Sequence, residues 1–93
     1  MNKDLTDSLF PLGQIVMTRG AAETFSALQL IGCLGRHSLG DWGDLDEEDQ
    51  ATNAEALEYG FRLFSSYRLP AGKLWIITEA DRSVTTLLLP DEY

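Results

Sequence analysis

The last third of the chain contains three strand-like runs joined by turns too short to hold a helix. Phe61–Leu69, Leu74–Glu79 and Val84–Leu89 are rich in β-branched, aromatic and other apolar residues. The connections Pro70–Lys73 and Ala80–Ser83 consist of turn-forming residues. Turns this short join antiparallel neighbours, because a parallel crossover needs about a dozen residues or more. The three runs therefore predict an antiparallel meander, which restricts the fold to classes built on one small sheet.

The first two thirds of the chain predict one further strand and several helices. Leu12–Thr18 is strand-like, whereas Ala21–Leu28 and Gln29–Arg36 space their apolar residues as helices do. Asp46–Tyr59 begins with a capping aspartate and stops before Gly60, a residue that commonly ends helices. We therefore expect an α+β fold: a small, mostly antiparallel sheet of the N-terminal strand plus the C-terminal meander, with two or three helices packed on one face.

The net charge of the chain lies in one quarter of its length. The sequence has 15 acidic and 7 basic residues, and the stretch between His37 and Phe61 has no Lys or Arg. A crowded acidic patch favours a basic partner, because like charges repel one another unless a partner neutralises them. A solvated face is the alternative interpretation, since first-turn acids stabilise a helix and an acidic face improves solubility. The acidic residues of this stretch are Asp41, Asp44, Asp46, Glu47, Glu48, Asp49, Glu55 and Glu58.

Composition and size narrow the class of protein. Residues 1–93 are short enough to form a single α+β domain. The chain has one cysteine, Cys33, which fits a reducing compartment, and Met1–Asp7 has no apolar signal-peptide core. A cytoplasmic location is therefore expected. An acidic chain is repelled by nucleic acid and by anionic membranes, so neither is expected as a direct partner.

A glycine-rich loop, Ser38–Asp44, precedes the acidic helix and holds a tryptophan between two glycines. Trp42 either folds back onto the core or anchors a partner, since large aromatic residues serve both roles. With the acidic residues on either side, it completes the predicted partner-binding set. That set is Asp41, Trp42, Asp44, Asp46, Glu47, Glu48, Glu55 and Glu58.

The same loop raises a catalytic alternative. His37, Ser38 and Asp41 are the residue types of acid–base or nucleophilic chemistry, but a triad is defined by geometry rather than by closeness in sequence. We expect His37 to interact with the C-terminus of the preceding helix instead. A calcium loop starting at Asp44 would need glycine where Asp49 stands, and zinc would need more ligands than one His and one Cys. No catalytic residue, metal ligand or cofactor is assigned.

The segments Arg36–Asp44, Trp75–Arg82 and Leu88–Tyr93 include two distinctive tryptophan motifs. They resemble a family of small bacterial proteins carried on plasmids and integrated elements, often labelled plasmid-related protein or, loosely, type I restriction subunit M. The methylase label conflicts with this chain, which has no Gly-rich loop after its first strand. The resemblance implies a mobile-element setting, in which small acidic proteins include anti-CRISPR and anti-restriction inhibitors.

Together these observations predict a non-enzymatic acidic binding protein that occupies a basic, nucleic-acid-binding surface of a partner such as a host defence complex. One alternative is a small metal-dependent, hydrolase-like site in the His37–Asp44 loop. Another is a homodimeric regulatory or assembly module of a mobile element, in which the C-terminal meander dimerises through an exposed edge strand.

Overall fold

A four-stranded sheet forms the centre of the computed structural model, which describes residues 8–93. The strands lie in the order β1-β4-β3-β2. The meander β2-β3-β4 is antiparallel, whereas β1 pairs with β4 in parallel. This confirms the predicted α+β fold with a mostly antiparallel sheet. The strands are β1 (Gln14–Met17), β2 (Leu63–Leu69), β3 (Gly72–Thr78) and β4 (Val84–Leu88).

Three α-helices connect β1 to the meander: α1 (Arg19–Thr24), α2 (Ala27–Ser38) and α3 (Glu47–Tyr59). The prediction for α3 is confirmed at both ends. The Asp46 carboxylate accepts a hydrogen bond from the Asp49 N–H at 2.8 Å, as a capping residue does. Gly60 follows the helix in the left-handed region, with φ of 81°. A short 3-10 turn, Pro90–Glu92, ends the described chain.

The junction between α1 and α2 differs from the prediction, which placed it after Leu28. The helices separate at Phe25 and Ser26, because Ser26 and Gln29 form a reciprocal capping box. The Ser26 hydroxyl accepts from the Gln29 N–H at 3.1 Å, and the Gln29 side chain accepts from the Ser26 N–H at 3.0 Å. Gln29 therefore lies inside the first turn of α2, and Leu28 is 82% exposed rather than part of the apolar face.

Two apolar clusters hold the helices against the sheet. The larger one joins α1 and α2 to all three strands of the meander, and the smaller one lies beneath α3. Strand alternation and register place the sheet residues of both clusters on one face. The larger cluster contains Ala21, Phe25, Leu30, Cys33, Tyr67, Leu74, Ile76 and Leu87, and the smaller one contains Phe10, Trp42, Ala56 and Leu63.

The outer edge of β2 is closed by the chain itself. The Asn53 side chain makes two hydrogen bonds to the backbone of Phe64, as a neighbouring strand would. The Asn53 NH2 group donates to the Phe64 carbonyl at 2.7 Å, and the Asn53 side-chain oxygen accepts from the Phe64 N–H at 3.1 Å. Two residues further on, the Ser66 N–H donates to the Trp42 carbonyl and the Asp44 N–H donates to the Ser66 carbonyl. These bonds occupy backbone groups that an edge strand otherwise exposes.

Arg82 fastens the β3–β4 turn to the end of α3. Its guanidinium donates to the carbonyls of Ala56, Phe61, Glu79 and Ala80 at 2.6–3.2 Å. A cation at this position also compensates the negative end of the helix. The Glu79 carboxylate, at the start of this turn, accepts from the guanidinium of Arg62.

Substituting Arg82→Ala is expected to lower the free energy of unfolding by about 2 kcal/mol, because charged hydrogen bonds to partly buried carbonyls are lost. For a domain of this size that corresponds to a melting temperature about 10 °C lower in a thermal scan. Arg62→Ala is the matched control, since it removes an exposed ion pair worth less than about 1 kcal/mol. Equal losses in the two variants would contradict the role assigned to Arg82.

Candidate functional site

An acidic surface covers the first turn and the outward side of α3. Its six side chains are exposed, and none forms an ion pair with a base among residues 8–93. The opposite side of the helix faces the protein, where Asn53 is 2% and Ala56 0% exposed. The α3 helix therefore packs on the protein through small residues. We call the following set the acidic surface: Asp46, Glu47, Glu48, Asp49, Glu55 and Glu58.

The two ends of the acidic surface have different electrostatic explanations. The first-turn acids Glu47, Glu48 and Asp49 lie at the positive end of the helix, where each stabilises it by about 0.3–1 kcal/mol. Glu55 and Glu58 lie toward the negative end, where a carboxylate is unfavourable, and the last turn of the helix has no basic residue. Helix stability therefore does not account for Glu55 and Glu58.

The two loop acids predicted for the partner-binding set are neutralised within the protein. Asp41 makes two hydrogen bonds to the Arg36 guanidinium, at 2.8 and 3.2 Å. The bond to Arg36 holds the pKa of Asp41 below its usual value. Asp44 lies 3.9 Å from the Lys73 ammonium and 4.0 Å from the Arg68 guanidinium. The structure thus separates Asp41 and Asp44 from the acidic surface.

Trp42 points into the protein and is only 8% exposed. Its ring stacks on Phe10 at 6.3 Å between centroids and meets His37 edge-on at 5.6 Å. Gly40 and Gly43 on either side have φ near +85° and +82°, which lets the loop turn the ring inward. Of the two alternatives for Trp42, the structure shows the one in which the ring folds back onto the core.

His37 lies at the centre of a buried chain of hydrogen bonds and is 0% exposed. The Thr85 hydroxyl donates its single proton to the Leu12 carbonyl at 2.6 Å. It must therefore accept in its hydrogen bond with the Thr78 hydroxyl at 2.7 Å, so Thr78 is the donor there. Thr78 has no proton left for the histidine, so His37 Nε2–H donates to the Thr78 hydroxyl at 2.9 Å. On the other side of the ring, Nδ1 accepts from the Ser65 hydroxyl at 2.6 Å. This order of donors fixes His37 as the neutral Nε2–H tautomer, and burial lowers its pKa to about 4.

The residues of the hydrolase alternative are not brought together. Both ring nitrogens of His37 bind hydroxyl groups of the sheet, which also corrects its expected role at the C-terminus of α2. Asp41 and Asp44 face basic side chains at the surface instead. Within residues 8–93, no group of three or more His, Cys, Asp or Glu side chains is arranged to hold a metal ion.

Sequence reasoning missed a groove between β1 and α2. The groove has a volume of about 370 Å³, and apolar side chains of both elements line it. Ile15 of β1 and Ile31 of α2 are 44% and 65% exposed beside it. The exposed apolar side of α2 was detectable from the spacing of Leu28 and Ile31, but the parallel pairing that places β1 beside α2 has no local signal.

In comparisons with known proteins, the chain matches no family model, no curated protein and no solved structure. None of the helices in the described range is long and apolar enough to cross a membrane.

Proposed function

We propose that this chain is a non-enzymatic binding protein whose acidic surface occupies a basic, nucleic-acid-binding surface of a partner. The observation that carries the proposal is that no base among residues 8–93 forms an ion pair with the acidic surface. Glu55 and Glu58 support it most directly, because their positions oppose the helix dipole and are not explained by the stability of α3.

Five of the six bases among residues 8–93 are engaged by groups other than the acidic surface, and the sixth, Arg19, lies at the start of α1. Arg36 pairs with Asp41, and Arg62 pairs with Glu79. Arg68 and Lys73 face Asp44, and the guanidinium of Arg82 is used by backbone carbonyls. The fold therefore leaves a concentrated negative field on one side of the molecule. Such a field favours rapid, salt-sensitive association with a positively charged surface.

A nucleic-acid-binding surface has the chemistry that this field would select. The α3 helix is about 20 Å long at roughly 1.5 Å per residue, and duplex DNA has one charge per roughly 1.7 Å of axis. The six carboxylates of the acidic surface thus offer a basic groove about half the charge that duplex DNA has over the same length, which is the same order of magnitude. Together with the resemblance to mobile-element proteins, this makes a host defence complex the partner that we propose, with inhibition by anti-CRISPR or anti-restriction action.

The decisive comparison uses two variants with the same net charge. Glu55→Lys with Glu58→Lys reverses the part of the acidic surface that α3 does not need, whereas Glu23→Lys with Asp91→Lys reverses two exposed acids elsewhere. Each double variant and the wild-type chain would be immobilised and exposed to bacterial lysate at low and high salt. Proteins retained at low salt would then be purified and their affinities measured.

We expect the partner to bind the wild-type chain and the Glu23/Asp91 variant alike, and the Glu55/Glu58 variant about tenfold more weakly. Addition of the wild-type chain should also release labelled DNA or RNA from the purified partner. Equal affinity of both double variants would show that net charge, rather than the acidic surface, determines binding. Nucleic acid that stays bound would exclude competition for the same surface.

A further inference from the structure

The two outer edges of the sheet differ in how they are covered. The edge of β2 is closed by Asn53 and the backbone of the Trp42 loop, as described above. At the other edge, the Gln14 N–H donates to Ser83 and the Thr18 N–H donates to Leu87, so even-numbered residues of β1 face β4. The N–H and C=O groups of Ile15 and Met17 therefore point outward. Within the described range, no strand or loop pairs with them.

Apolar side chains flank this open edge. Ile15 and Met17 are 44% and 45% exposed on the face of the sheet that carries the helices. Beside them, α2 exposes Ile31 in the groove described above, and Leu28 is exposed three residues before it on the same helix. Native edge strands are usually blunted by lysine, proline or a covering loop. The combination of unpaired backbone and apolar flanks instead fits the addition of another strand.

The distribution of charge identifies the kind of strand that fits. β1 lies at the end of the sheet opposite β2, and α3 with the acidic surface packs beside β2. Two copies joined through β1 would place their β2 strands seven strand spacings apart, about 34 Å. That separation exceeds the Debye length of about 8 Å at physiological ionic strength, so the acidic surfaces would not oppose association.

We propose that the chain forms a two-fold symmetric dimer by antiparallel pairing of β1 with β1 of a second copy. A two-fold axis at Val16 places Ile15 opposite Met17 of the second copy, so that both outward-facing residues form hydrogen-bonded pairs. The axis is perpendicular to the sheet, which keeps both α2 helices on the same side. Leu28 and Ile31 of the two copies then approach each other across the seam. This revises the expected dimer edge from the C-terminal meander to β1.

Oligomeric state in solution provides the first test. Light scattering of the wild-type chain over a concentration series should give twice the monomer mass of 10.3 kDa. Ile15→Lys should give the monomer mass, because it places a charge in the apolar seam. Tyr59→Lys, at a more exposed apolar position at the end of α3, should remain dimeric. A monomeric wild-type chain, or a dimeric and folded Ile15→Lys variant, would overturn the proposal.

A cysteine at the symmetry axis provides the second test, and it also reports the register. The two Val16 residues form a non-hydrogen-bonded pair with Cα atoms about 4.5 Å apart, within the range that a disulfide spans. Val16→Cys should therefore give a covalent dimer on mild oxidation, in a Cys33→Ala background that removes the native thiol. Val84→Cys, a half-buried position on the neighbouring strand, should not. Equal cross-linking of both variants would overturn the proposed seam.

The dimer and the acidic surface can be tested independently. The Glu55/Glu58 variant should dimerise as the wild-type chain does, since these residues lie at the far end of the sheet. Loss of dimerisation in that variant would contradict the proposed seam. Binding of a partner through the acidic surface would remain a separate measurement.

Discussion

Replacing Gly43 by alanine should cost about 4 kcal/mol of folding free energy, a large part of the stability of a domain this small. A Cβ built on Gly43 would overlap the backbone carbonyl of Ser66, which cannot rotate away as a side chain can. The residue also has φ of 82°, which alone is unfavourable by about 1–2 kcal/mol for any residue with a Cβ.

An alanine at position 43 would also affect neighbouring residues. To relieve the overlap with Ser66, the loop would have to move away from the edge of β2. The bonds from Ser66 to Trp42 and from Asp44 to Ser66 would lengthen or break. Trp42 would then lose part of its contact with Phe10 and His37, which adds a packing loss to the loss of hydrogen bonds. Urea denaturation followed by tryptophan fluorescence would measure the change in unfolding free energy.

Gly60 provides the matched control for Gly43. Its φ is 81°, almost the same, but nothing lies within 4 Å of a Cβ built there. Gly60→Ala should therefore cost only the conformational part, about 1 kcal/mol. An equal loss of unfolding free energy in the two variants would contradict this explanation. The requirement for glycine at position 43 would then come from its positive φ alone, and not from the close approach to Ser66.

The parts of the fold that local sequence signals determine were predicted well. The bounds of α3 follow from Asp46 and Gly60, and the meander follows from turn length, because each of these signals acts within a few residues. The junction of α1 and α2 also has a local signal in Ser26 and Gln29, but apolar spacing was given precedence over the capping box.

The parts that depend on distant contacts were not predictable from one sequence. Asp44 is neutralised by Arg68 and Lys73, which only the meander brings near it. His37 is held by Ser65 and Thr78, which are 28 and 41 positions away along the chain. No periodicity or spacing reports such pairs.

The candidate site was therefore predicted in part. The charge of the acidic surface and the helix that carries it could be deduced from residues 46–60. Which neighbouring acids remain unneutralised, and which way Trp42 points, depends on the tertiary structure. The same dependence left the edge of β1 unrecognised, since its parallel pairing with β4 joins residues 70 positions apart, such as Gln14 and Val84.

Acidification should destabilise the protein between pH 6.5 and pH 4 through His37. Burial lowers the pKa of His37 to about 4 in the folded chain, whereas an unfolded chain has a histidine pKa of about 6.5. Between these values the unfolded state binds a proton that the folded state does not, so the free energy of unfolding falls as pH falls. The contribution is complete above pH 6.5, and about 3 kcal/mol of it is lost by pH 4.

The buried hydrogen bonds explain why the folded state resists the proton. Protonation would turn His37 Nδ1 into a donor facing the Ser65 hydroxyl, which at present donates to it. Ser65 would have to rotate its own proton away, and both residues are 0% exposed, so bulk solvent does not reach them to accept it. The His37 ring meets Phe10 and Trp42 edge-on, and these apolar neighbours are likewise a poor environment for a positive charge.

His37→Gln isolates this effect, because His37 is the one histidine of the sequence. Carboxylates such as Asp41, whose pKa is lowered by Arg36, also weaken the fold as they take up protons at low pH, but wild type and variant share that loss. The difference between their unfolding free energies should therefore change by about 3 kcal/mol from pH 7 to pH 4. An NMR titration of the His37 ring should place its midpoint near pH 4. Parallel stability curves, or a midpoint near 6.5, would mean that the imidazole takes up its proton without breaking the chain from Ser65 to Thr85.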